Sequence, residues 1–324
     1  MQVVFTVSSP SHIAQAKTLI ESALRHNPGY TAFICLFNGD SFCIQQLEEF
    51  GLARIIEVET VGVESYEKMK QQYTQFELST ALKPHMAYHI LTTYAPEHLV
   101  YLDADIQVLH KWFEHELPDK DIFITSHSNS NIVWDDNVAE RGRYLLERSI
   151  LRGGVYNSGF FYLKNTPVAA AFAKWWKGVL VDGAYNNVAI GLFTDQLWLN
   201  FAPVYFGDNI HVVKEPGYNV AYWNLDERDL EEVDNKYVVK TAEGKSGPLV
   251  FFHYSGYRFT GDSKLTVYEC LYDFESRPLL VGLFREYREA VLRNGYLIFS
   301  EKYKLKLSIK KRIKQKIKWI GKGN

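Results

Sequence analysis

Apolar and polar positions in the first 110 residues switch between two periods. Val3–Val7 reads as a strand buried on both faces, followed by a turn at Ser8–Ser11. Ile13, Ala16, Ile20, Ala23 and Leu24 then recur close to every 3.6 residues, which predicts an amphipathic helix to about His26. Asn27-Pro28-Gly29 stops it. The same logic predicts a strand over Thr31–Phe37, a short helix over Cys43–Phe50 and a strand over Ile55–Val58. A longer helix over Phe76–Leu91, started or interrupted by Pro84, leads to a strand over Leu99–Leu102. Repeated strand–helix–strand units of this length imply an α/β protein, a parallel sheet with helices on both faces.

After Leu109 the rhythm is irregular. Ser126–Asn131 is a polar loop, Gly159–Leu163 a strand, Pro167–Val181 a helix, Asp195–Phe201 a short helix and Val250–His253 a late strand. No internal repeat or low-complexity linker divides the chain, so residues 1–300 are expected to form one domain, with 301–324 as an appendage.

Charge changes the picture only at that end. The formal net charge of −2 hides ten Lys/Arg against one acid from Glu301 onward, leaving 26 basic against 37 acidic residues before it. An acidic body excludes nucleic acid as its partner, and the basic tail has a separate role. Ile309, Ile313, Ile317 and Ile320 recur on one helical face beside Trp319, with Lys310, Lys311, Arg312, Lys314, Lys316 and Lys318 around them. That pattern predicts a helix lying on an anionic membrane surface, against the plainer reading of a solvated terminus or a helix docked on the acidic body. The start of the chain has no basic region before its apolar run, and no stretch reaches the ~18 apolar residues of a membrane span. Three cysteines, Cys35, Cys43 and Cys270, lack metal-ligand spacing. Together these predict a cytoplasmic protein, peripheral on the inner face of the membrane through its tail.

The sharpest chemical feature is Leu99-Val-Tyr-Leu-Asp103-Ala104-Asp105. An apolar strand runs out into two acids, and the carboxyl ends of strands are where open α/β sheets collect ligands. Two carboxylates there repel unless a cation is shared between them. Hard oxygen ligands suit Mn²⁺ or Mg²⁺ held partly by a diphosphate. The alternative is a strand-end turn with solvated acids. Val250-Phe-Phe-His253 again ends an apolar strand on a polar group, and imidazole suits Mn²⁺ better than Mg²⁺. Asn157-Ser158-Gly159 precedes a strand where backbone can approach a ligand closely. Thr194-Asp195-Gln196 is either a helix cap or a pair of polar groups facing a polyhydroxylated substrate. Tyr218-Asn219 and Tyr222-Trp223 either stack on sugar faces or pack in the core.

The ordered set ALKP, YLDADI, NSGF, TDQLWLN, PGYNVAYWNL and FFHYSG resembles the retaining, GT-A-fold nucleotide-sugar glycosyltransferases of the family-8 type, in a bacterial branch, over roughly residues 1–260. The resemblance implies a Rossmann-like, mostly parallel sheet and a hexose donor that is UDP-linked. It implies Asp103, Asp105 and His253 as metal ligands, with Thr6, Val7 and Ser8 meeting the base and ribose. Lys83, Ala104, Asn157, Ser158 and Gly256 would line the donor site. Asp195 would hold sugar hydroxyls and Gln196 would lie against the anomeric centre. The acceptor would be a glycan, a lipid-linked molecule or a protein.

Two other classes compete. A sugar nucleotidylyltransferase shares the sheet and the acids, but needs a Gly-rich triphosphate loop where this chain has Ser8-Ser9-Pro10. A noncatalytic nucleotide-sugar or glycan-binding protein has no use for three metal ligands. Donor-dependent UDP release separates all three.

Overall fold

The computed structural model describes residues 1–113, 118–131, 138–259 and 264–303. The chain opens with β1 (Gln2–Ser8), a 3-10 turn at Pro10–His12, α1 (Ile13–His26), β2 (Tyr30–Leu36), α2 (Ser41–Phe50) and β3 (Arg54–Glu57). Next come α3 (Tyr66–Gln72), α4 (Gln75–Tyr94), β4 (His98–Leu102), β5 (Ile106–Val108), β6 (Ile122–Ser126), α5 (Val138–Gly153), β7 (Tyr156–Lys164) and α6 (Pro167–Gly183). A two-residue hairpin, β8 (Asn186–Asn187) with β9 (Leu192–Phe193), precedes a 3-10 turn at Leu197–Phe201 and α7 (Ala202–Phe206). The rest is β10 (Ile210–Val213), β11 (Arg228–Val233), β12 (Lys236–Thr241), β13 (Ser246–Pro248), β14 (Phe251–His253), α8 (Leu279–Arg293) and α9 (Tyr296–Lys302).

Seven strands form the main sheet in the order β10-β6-β7-β4-β1-β2-β3. Strands β1, β2, β3 and β4 run parallel, as do β6 and β10. Strand β7, read from the sequence only as Gly159–Leu163, is antiparallel to both neighbours. The result is the expected mostly parallel sheet, made mixed by one strand. Alternate residues feed two cores. Val4, Val100, Leu102 and Phe160 pack under α1, α2 and α8, while Val3, Phe5, Leu99 and Phe161 pack under α4 and α6. Burial on both faces is why these strands read as apolar runs.

Pro84 neither starts nor interrupts α4, which is continuous across it. A capping box of Thr74 and Glu77 starts that helix two turns earlier, and packing against α6 holds it despite a cost of about 3 kcal/mol for an interior proline. At the other end, α9 passes the expected boundary at residue 300, and the Tyr303 hydroxyl donates to Asp40 Oδ1 at 2.6 Å. The amphipathic helix expected in the tail lies outside the described residues. Among those described, no helix is long and apolar enough to cross a membrane. All three cysteines are free thiols, with Cys35 fully buried.

Two pairings shape one end of the sheet. Strand β14 runs antiparallel to β5, with His253 opposite Ile106, and the Tyr254 amide donates to the Asp105 carbonyl at 2.9 Å. Strand β7 slips register against β6 between Ile124 and Thr125, a bulge that leaves Ser158, Gly159 and Phe160 opposite no β6 residue, with Asn157 paired to Thr125.

Candidate functional site

Strand β4 delivers Asp103 at its carboxyl end, and the Asp103 amide donates to the Gly159 carbonyl at 2.9 Å. The β5–β14 pairing brings His253 beside the acids. His253 Nε2 lies 3.1 Å from Asp105 Oδ1 and 3.9 Å from Asp103 Oδ2. One ligand atom from each of Asp103, Asp105 and His253 falls within 4.8 Å of the others, a donor set of two carboxylates and an imidazole that fits a divalent cation. Gly159 makes the approach possible, since a Cβ there would lie 2.6 Å from His253 Cε1 and 2.7 Å from Asn157 Oδ1.

Behind the acids sits Lys83, from the middle of α4 and only 4% exposed. Its Nζ lies 2.9 Å from Asp103 Oδ1 and 3.2 Å from Asp195 Oδ2, and it donates to Ser158 Oγ at 3.3 Å. Burial pushes the ammonium down, but Asp103 and Asp195 outweigh it and hold Lys83 above its ordinary pKa. Burial, with Asp103 nearby, keeps Asp195 above the usual carboxylate range against the pull of Lys83. Partial burial raises Asp105 too, yet His253 and then His12 more than reverse it, so its pKa is lowered. Asp103 and Asp195 therefore share the Lys83 ammonium, while Asp105 pairs with His253.

The helix-cap reading of Asp195 does not hold. Thr194 has a positive φ of 47°, the 3-10 turn begins at Leu197, and no side chain caps it. Asp195 is instead 1% exposed, and its two carboxylate oxygens accept no well-aligned hydrogen bond from any described residue. Gln196 donates to the Gly153 carbonyl at 2.8 Å, so its amide is held on the end of α5. Asn157 Oδ1 accepts from the Gly159 amide at 3.0 Å, and its Nδ2 lies 3.3 Å from His127 Nε2.

These groups share one cavity of about 1000 Å³, at the upper end of the roughly 300–1,000 Å³ of ligand pockets. Val7, Lys83, Asp103, Ala104, Asp105, Asn157, Ser158, Asp195, Gln196, His253 and Gly256 all line it. Thr6 and Ser8 are buried within β1 and are not among the lining residues, whereas Ser9 is. Of the aromatic pairs, Tyr222 and Trp223 line the cavity. Tyr218 packs among Phe113, Phe160 and Phe251 in the core, and Asn219 is buried.

Sequence reasoning missed several contributors. The Tyr101 hydroxyl donates to Asp103 Oδ1 at 2.6 Å, and the signal was there, since residues two apart on a strand share a face. His127, in the polar loop, is driven by burial to a pKa of about 4 and so remains neutral beside Asn157. His12 and Gln15 also line the cavity, and nothing in their local pattern announced it.

No family model matches the chain. YfnF of Bacillus subtilis (strain 168), an uncharacterised protein, is 25% identical over 264 residues, covering 80% of this chain and 83% of its own. YfnD of the same organism, also uncharacterised, is 22% identical over 268 residues, 81% and 80% of the two chains. Solved structures with a similar fold include the galactosyltransferase LgtC in complex with donor and acceptor sugar analogues. It is 12% identical, covers 90% of this chain and 96% of its own, and has a TM-score of 0.49. The glycosyltransferase GlyE of Streptococcus pneumoniae TIGR4 is 16% identical, covers 68% and 47%, and has a TM-score of 0.41.

Proposed function

We propose that this chain is a metal-dependent GT-A glycosyltransferase that moves a hexose from a nucleotide sugar, UDP-linked, to a glycan, lipid-linked or protein acceptor with retention. One observation carries the reading: Asp103, Asp105 and His253 converge within 4.8 Å from two separate strand ends, beside the buried Lys83–Asp195 pair. A strand-end turn with solvated acids gives no reason for that convergence. Charge supports it as well, because Asp103 and Asp105 converge at one point, where two carboxylates repel unless a cation is shared between them.

Asp103, Asp105 and His253 would hold Mn²⁺ or Mg²⁺, and a bound divalent ion supplies charge stabilisation to a departing diphosphate. Lys83 fixes the Asp103 carboxylate from behind and keeps Asp195 in place. Asp195, with well-aligned bonding capacity to spare, accepts from the hydroxyls of the donor hexose. Asn157 is oriented by Gly159 and His127 to meet the same sugar. Gln196, anchored on Gly153, lies at the reacting carbon and is a poor nucleophile. The bond from the anomeric carbon to the phosphate oxygen breaks as the bond to the acceptor oxygen forms on the same face. The acceptor proton passes to the departing phosphate oxygen, so no protein base or nucleophile is required. The basic tail places the enzyme on the inner face of an anionic membrane, near lipid-linked acceptors.

Incubating the protein with Mn²⁺ and a panel of nucleotide sugars tests the assignment. Slow hydrolysis releasing UDP from one UDP-hexose is the expected result. Release of pyrophosphate from UTP and a sugar phosphate would point to a nucleotidylyltransferase, and binding without turnover to a noncatalytic protein.

A further inference from the structure

The cavity is polar at its floor and apolar at its rim. Lys83, Asn157, Asp195 and His253 are buried at the floor, with Asp103 and Asp105 half-buried beside them. Five large apolar side chains line the same cavity and are exposed: Phe76 and Tyr268 at 54%, Leu145 and Leu271 at 45%, and Val188 at 39%. Single exposed apolar residues are ordinary on a protein surface, but a group of them around one polar site marks a binding surface.

The elements that carry this rim also build the sugar end of the site. Phe76 lies about two helical turns before Lys83 on α4, and Thr80 between them lines the cavity too. Val188 follows β8, where the Asn186 amide donates to Glu77 Oε1 at 2.9 Å and ties the hairpin to the start of α4. Leu145 stands on α5, whose last residue, Gly153, accepts the Gln196 amide. Further up α5, Gly142 lies against Leu271, and Tyr268 stacks on Tyr222 with ring centroids 5.8 Å apart. Between Gly142 and Arg152 no residue of α5 is buried, although Leu145, Leu146 and Ile150 form an apolar stripe. An amphipathic helix ordinarily turns such a stripe to a core, whereas these three residues line the cavity. Polar contacts hold the helix there, since Arg143 pairs with Asp226 and donates to the Ser130 carbonyl at 2.7 Å.

We propose that the acceptor is an amphiphilic glycoside, in which the sugar that receives the hexose carries an apolar group, an alkyl chain or an aromatic ring, that packs on this rim. The inference rests on the glycosyltransferase reading and narrows its acceptor class. With the diphosphate at Asp103, Asp105 and His253 and the hexose at Asp195, the donor takes the polar floor, so the molecule that meets the rim is the acceptor. A fully hydroxylated glycan would press its hydroxyls against Phe76, Leu145 and Val188 and give up water without gaining hydrogen bonds. An apolar group there removes its own surface and theirs from water together.

Transfer rates with the preferred nucleotide sugar and Mn²⁺ test this. The acceptors are octyl, phenyl and methyl glycosides of the common hexoses and N-acetylhexosamines, each below its micelle-forming concentration. At least one octyl or phenyl glycoside is expected to exceed its methyl counterpart in kcat/KM by about tenfold or more, the effect of burying roughly two methylene groups. A lead of octyl over phenyl assigns a lipid chain, and the reverse an aromatic group. Phe76→Ser and Leu145→Ser change exposed positions, so both should fold. Each is expected to cut that ratio several-fold while acceptor-free UDP release stays as in the wild type. Methyl glycosides used as well as the others, no glycoside used at all, or a ratio unmoved in both variants overturns the proposal, with UDP release from the donor intact. No UDP release from any nucleotide sugar overturns the glycosyltransferase reading itself.

Discussion

Replacing Lys83 by Met removes the one buried cation that faces Asp103 and Asp195, while keeping the side-chain length. Lys83 Nζ is 2.9 Å from Asp103 Oδ1 and 3.2 Å from Asp195 Oδ2, and Asp195 is 1% exposed. Charges about 3 Å apart attract by about 5 kcal/mol at an effective dielectric of about 20, and desolvation of both groups offsets much of that. Leaving a buried charge unpaired nonetheless costs about 3–5 kcal/mol. Asp195 can escape part of this cost by taking a proton, which makes the loss depend on pH. Its folded pKa is already raised, and without Lys83 it rises further. A raised carboxyl binds a proton in the folded state that the unfolded chain releases. The destabilisation is therefore small near the unfolded pKa of about 3.9 and grows above it by up to about 1.4 kcal/mol per pH unit. Urea unfolding with a chelator present, at about pH 5 and about pH 8, measures both quantities. Lys83→Met should lose most stability at the higher pH, and Lys83→Met combined with Asp195→Asn should recover most of it. A pH-independent loss, or a double variant as unstable as the sum of the single ones, would refute the reasoning.

Gly159→Ala should fold, with a cost of about 1–3 kcal/mol, but should lose Mn²⁺ affinity and turnover together, because the new methyl displaces the His253 imidazole. Normal metal binding by that variant, read by calorimetry, would show that the imidazole does not need its present place. For the membrane, the informative truncation ends after Tyr303, since α9 and the Tyr303–Asp40 contact belong to the body. Full-length protein should sediment with anionic liposomes at low salt and the truncated protein should stay in the supernatant; equal partitioning would remove the tail from the account.

The acid pair was legible because its two signals are local: an apolar strand and the carboxylates that end it. The first half of the sheet was legible for the same reason, with strands buried on both faces writing continuous apolar runs. Strand β7 shows the limit. Its residues announce a strand, but its antiparallel direction depends on how α5 returns the chain, which no local pattern encodes. Pro84 misled because proline's intrinsic cost is local while the packing of α4 on α6 that overrides it is not. Lys83 entered only through resemblance, since a lysine between Leu82 and Pro84 on a helix looks like any surface lysine until the helix is docked on the acids. Asp195 looked equally like a cap, and only its burial beside Lys83 separated the readings. His12 and Gln15 stayed silent because a His and a Gln in a first helical turn mean nothing until the cavity beside them is known.

The central claim is that Asp103, Asp105 and His253 hold a divalent cation on which donor turnover depends. The most direct test is UDP release from the preferred nucleotide sugar, with Mn²⁺, by the wild type and by Asp105→Ala. Asp105 is half-buried at a strand end rather than in either core, so the variant should melt within a few degrees of the wild type. Turnover should fall by about two or more powers of ten, and added Mn²⁺ should not restore it. Near-normal, Mn²⁺-dependent UDP release by a folded Asp105→Ala protein would contradict it.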